Sequence, residues 1–153
     1  MTDPADVERV TALLGRTPRA EFTVAVRDPH GEPMVIQNAA FLDDGTPLPT
    51  RYWLIDPDLI RSISRLEADG GVRTAQAAVD SLELAAAHAR YAAERDATIS
   101  PDYSGPAPSG GVGGTRVGVK CLHAHYAYLL AGGDDPVGAW VADQLRQAEV
   151  GAS

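Results

Sequence analysis

FTVAVRDPHGEPMVIQN, residues 22–38, decides the fold. Two short runs rich in β-branched and apolar residues, Phe22 to Val26 and Met34 to about Asn38, flank Asp28-Pro29-His30-Gly31-Glu32-Pro33, a cluster of turn formers. The spacing predicts an antiparallel hairpin whose loop is longer than two residues. Downstream, Asp43-Asp44-Gly45-Thr46 marks another turn, and Tyr52-Trp53-Leu54-Ile55 reads as a third strand. Pro47 and Pro49 just before it favour an edge position, because proline cannot donate to a central ladder.

Helical signals surround this sheet. Asp3 and Pro4 give a cap and a first helical residue for a helix over 2–14, closed by Gly15. Asp56 and Pro57 repeat that signal, with Leu59, Ile60, Ile63 and Leu66 at helical spacing up to a stop at Gly70-Gly71. Further helices are predicted over about 80–97, 117–131 and 136–149. The fold class is therefore α+β, a small antiparallel sheet of about three strands packed with about five helices. With 153 residues the chain suits a single domain, 1–153. Between 98 and 118, three prolines and six glycines with no apolar period indicate a long irregular loop.

Composition excludes several function classes. A net charge of −8, with arginines scattered along the chain, disfavours nucleic acid as a partner. No apolar run reaches membrane-spanning length, and the acidic start MTDPADVERV does not read as a secretory signal, so the expected location is the cytoplasm, without membrane association. One cysteine permits no internal disulfide and no all-cysteine zinc site.

Chemistry concentrates in GVKCLHAHYAYLLAGG, residues 118–133. The only lysine, Lys120, the only cysteine, Cys121, and His123 and His125 fall within six positions. A cysteine at a helix N-terminus beside a lysine has surroundings that favour thiolate; the plain alternative is a small buried hydrophobe. On a regular helix Cys121, His125 and Tyr128 share a face, and His123 joins them only if the first turn is irregular. Asp28 in the hairpin loop and Asp56 before the second helix could converge on this site, although turn formation and helix capping already explain both. The glycine loop fails the P-loop pattern, but Arg116 and Lys120 beside it could serve a looser anion site.

Several stretches in the same order resemble an uncharacterised bacterial family, domain of unknown function 501. They are Leu14-Gly15-Arg16 with Pro18-Arg19, Arg27 to Pro33, Asp44 to Thr50 with Tyr52-Trp53-Leu54, Ser64-Arg65-Leu66-Glu67, and Val119 to His123. The resemblance implies that positions 28, 56, 121, 123 and 128 form a ligand set, with cysteine usual at 28, cysteine or histidine common at 56, and histidine usual at 128. This sequence departs at three of these positions, with Asp28, Asp56 and Tyr128; His125, one turn before Tyr128, offers a replacement nitrogen. The expected function is a metal-binding module for one divalent, zinc-like ion at Asp28, Asp56, Cys121, His123 and His125. The alternatives are a cysteine-dependent enzyme using Cys121 with a nearby histidine, and a noncatalytic module binding an anion, a small molecule or a protein.

Overall fold

The computed structural model describes residues 2–152. Strands β1 (Phe22–Arg27), β2 (Pro33–Asn38) and β3 (Tyr52–Leu54) form an antiparallel sheet in the order β1-β2-β3. Six helices accompany it: α1 (Pro4–Leu14), α2 (Pro57–Ala68), α3 (Gly71–Ala78), α4 (Ser81–Asp96), α5 (Leu122–Leu130) and α6 (Pro136–Ala152). The α+β class and the three strands match expectation. The count of about five helices fell one short.

Both faces of the sheet are covered. Val35 and Leu54 point into the larger core, which the helices from α2 to α6 complete with Ile63, Ala75, Leu84, Leu122 and Val141. Ile36 and Ile55 point the other way and meet Val10 of α1, with Phe22 and Trp53 beside them. Period-two alternation thus makes the sheet the middle layer of three. A bulge at Ala25 adjusts β1 to this arrangement: Val24 pairs with Ile36, while Val26 pairs with Val35. The extra residue lets two valines of equal parity serve opposite cores.

The missed helix, α3, follows α2 without a linker. Asp69 caps the end of α2, and Gly70, at φ 85, is the N-cap from which the chain restarts at once. Gly71 is buried, and a Cβ there would collide with the Leu66 carbonyl and crowd Leu122. The glycine pair is a tight corner between two helices, which composition alone reads as a stop.

Helix α5 also begins later than the predicted 117. Residues 112–114 form one 3-10 turn, and Cys121, with φ −146 and ψ 118, stands outside the helix as its N-cap. The loop before it is pinned by α4. His88 Nδ1 accepts from Val112 N at 3.0 Å, His88 Nε2 reaches Gly118 O at 2.8 Å, and buried Arg95 donates to Pro49 O at 3.1 Å and Gly110 O at 2.8 Å.

Candidate metal centre

Two helices supply the site. On α2, Ile60, Ser64 and Glu67 follow i, i+4, i+7 spacing and line one face. Against that face lies the first turn of α5. Its first N–H, at Leu122, has no capping side chain of its own and donates to Glu67 Oε2 at 2.9 Å. Glu67 thereby stands in for the missing N-cap acceptor and docks the two helices.

The other carboxylate oxygen, Glu67 Oε1, lies 3.2 Å from His123 Nδ1. Cys121 Sγ lies 3.8 Å from the same nitrogen. One ligand atom from each of Glu67, Cys121 and His123 falls within 4.8 Å of the other two. His123 Nε2 sits 3.2 Å from Ile60 O and 3.1 Å from Ser64 Oγ. A carbonyl can only accept, so Nε2 carries a proton and the neutral ring keeps its lone pair on Nδ1. A carbonyl behind a histidine is the arrangement that orients a metal-binding imidazole. The hydrogen bond with Cys121 chiefly raises the His123 pKa; the Ile60 carbonyl and Glu67 add to the rise, and burial opposes it.

The irregular first turn decides which histidine takes part. Because Cys121 is extended, its side chain leaves the helical phase that would align it with His125. His125 is instead fully buried, its Nδ1 2.7 Å from Asp135 Oδ2. Asp135 Oδ1 accepts from Val137 N and Gly138 N, capping the start of α6. Tyr128 is a core residue: its ring stacks on Tyr52 at 5.9 Å, and its hydroxyl donates to Glu94 Oε1.

Neither aspartate of the expected set belongs to the three-residue group. Asp28 closes the β1–β2 loop, its Oδ1 accepting from His30 N and Glu32 N. Asp56 caps α2 through Asp58 N and Leu59 N. It lies at the opposite end of that helix from Glu67, ~16 Å along the axis for eleven residues at 1.5 Å each. Arg116 and Lys120 are exposed. The glycine loop beside them uses N–H groups at Gly111, Val112, Gly114 and Val119 on protein acceptors. Glu67 was missed as a candidate ligand because it is remote in sequence from Cys121 and looks like any solvated helical glutamate. Its only signal was its place in the Ser64-Arg65-Leu66-Glu67 stretch.

Among the described residues, no helix is long and apolar enough to cross a membrane. The family described as Protein of unknown function (DUF501) matches residues 24–143. No curated protein and no solved structure matches the chain.

Proposed function

The chain belongs to this family of unknown function, DUF501, and on that footing we propose that it is a metal-binding module that holds one divalent, zinc-like ion at Glu67, Cys121 and His123. The observation that carries this reading is the convergence of a sulfur and a carboxylate oxygen on one ring nitrogen, His123 Nδ1. Tetrahedral zinc with ordinary bond lengths places sulfur and nitrogen ligands about 3.6 Å apart, and nitrogen and oxygen ligands about 3.3 Å apart. The separations of 3.8 and 3.2 Å are within a few tenths of an ångström of those values. Mixed sulfur, nitrogen and oxygen donors also suit zinc better than magnesium or calcium.

The same convergence weighs against the cysteine-enzyme reading. A nucleophile, base and orienting acid use both ring nitrogens, one facing the thiol and the other facing the acid. Here Cys121 and Glu67 address the same nitrogen, and the other is occupied by Ile60 and Ser64.

Metal content of protein purified without a polyhistidine tag tests the proposal. Wild type should carry close to one equivalent of zinc, and Cys121→Ser, His123→Ala and Glu67→Gln should each lose most of it. Asp28→Asn and Asp56→Asn should retain it. Zinc-free wild type that also fails to take up added zinc overturns the reading, and loss of zinc on changing either aspartate overturns this ligand set.

A further inference from the structure

A cleft of about 600 Å³ opens where the sheet meets the segment after α4. Its wall includes Phe22, Asn38, Phe41, Arg51, Ile99 and Tyr103. That volume lies within the range of small-molecule sites, about 300–1,000 Å³. The Phe41 and Tyr103 rings, 4.8 Å apart and tilted by 53°, supply flat apolar surface.

Arg51 is the unusual member of this wall. Three arginines, Arg51, Arg90 and Arg95, are not exposed. Arg90 reaches Asp134 and Arg95 reaches Asp96, at 3.9 and 3.0 Å. Among the described residues no carboxylate pairs with Arg51, although Glu21 lines the same cleft. The Arg51 guanidinium lies over the Tyr52 ring, 5.5 Å from its centroid, and its Nε donates to the Tyr52 hydroxyl at 3.3 Å. That contact fixes the plane of the group and leaves its two terminal nitrogens for another partner. A half-buried guanidinium without a counter-ion favours an anion, and the planar fork matches a carboxylate in two parallel hydrogen bonds.

We infer that this cleft is a binding site for a small organic monocarboxylate with a flat apolar body, its carboxylate on Arg51 and its body against Phe41 and Tyr103. The apolar wall disfavours a bare inorganic anion, and Glu21 works against a dianionic phosphate. The site shares no residue with the proposed metal centre, so the two proposals stand or fall separately.

Calorimetric titration with 3-phenylpropionate provides the test. Wild type should bind it, and Arg51→Gln should bind at least about tenfold more weakly, as expected for loss of a charge-assisted contact. 3-Phenylpropanol, which lacks the carboxylate, and inorganic phosphate should not compete. Absence of binding to wild type, equal affinity in Arg51→Gln, or equal binding of the alcohol or phosphate overturns the assignment. If Arg51→Gln does not fold, Tyr103→Ala provides a second variant. In wild type the ligand should also shift the NMR signals of Phe41, Arg51 and Tyr103; unmoved signals overturn the assignment as well.

Discussion

Glu67 has two jobs that substitution can separate. Its Oε2 accepts from Leu122 N, and its Oε1 faces His123. Glutamine keeps an acceptor for the N–H but loses the charge, whereas alanine loses both. In chelator-treated protein, urea denaturation should find Glu67→Gln close to wild type and Glu67→Ala less stable by about 1 kcal/mol, the usual cost of a lost cap. Both variants should lose zinc. Equal stability of the two would show that the cap contributes nothing. The residue was hidden in the sequence for a physical reason: a side chain contributed across a helix–helix contact leaves no spacing pattern. Cys121 and His123 were legible because they are neighbours and rare. Their partnership was legible only as a condition, an irregular first turn, and one extended residue breaking the helical phase supplies it.

At the scale of elements, the periodic segments were read well and the junctions were not. Strands β1, β2 and β3 stand where their β-branched and aromatic runs between turn formers place them, and the cap-plus-proline signals at Asp3-Pro4 and Asp56-Pro57 mark real helix starts. Helix α3 escaped because Gly70-Gly71 is sterically demanded rather than a simple breaker. Close approach recurs where α5 meets α6. A Cβ on Gly138 would stand 2.7 Å from both His125 O and Leu129 Cβ. Gly138→Ala should therefore push the two helices apart and cost about 1–3 kcal/mol, the range for overpacking, measured as a lowered urea midpoint with an unchanged slope. Gly151→Ala, with nothing within 4 Å of the added carbon, is the control and should be near neutral.

The whole molecule should lose stability at both ends of the pH scale for separate reasons. Burial is the main cause that lowers the His88 pKa, so the unfolded chain binds that proton more readily than the folded one. Its contribution is complete above the ordinary histidine value of about 6.5 and is lost as pH falls through the folded value. Protonated His88 Nδ1 would also face the Val112 N–H, donor against donor. At the alkaline end, burial pushes Tyr91 up to about 12. Its contribution is intact below about pH 10 and disappears as pH rises from about 10 to 12, at most ~3 kcal/mol for two pKa units. Urea midpoints measured across pH should fall on both limbs. Tyr91→Phe should flatten the alkaline limb while lowering the plateau, because the Tyr91 hydroxyl accepts from Arg51 N and Tyr52 N. An alkaline limb unchanged in that variant would assign it to another group.

The long irregular segment after α4 is two different things joined end to end. Its first part, 101–107, is exposed throughout, whereas Gly110, Val112 and Gly118 are held by Arg95 and His88. Extra chain added to the first part need only extend into water, at a loop-closure cost that grows slowly with length. A short epitope spliced between Pro106 and Ala107 should leave the protein folded, and the same epitope spliced after Gly113 should not. Natural length variation should follow the same asymmetry, falling before Pro108 and sparing the segment after it.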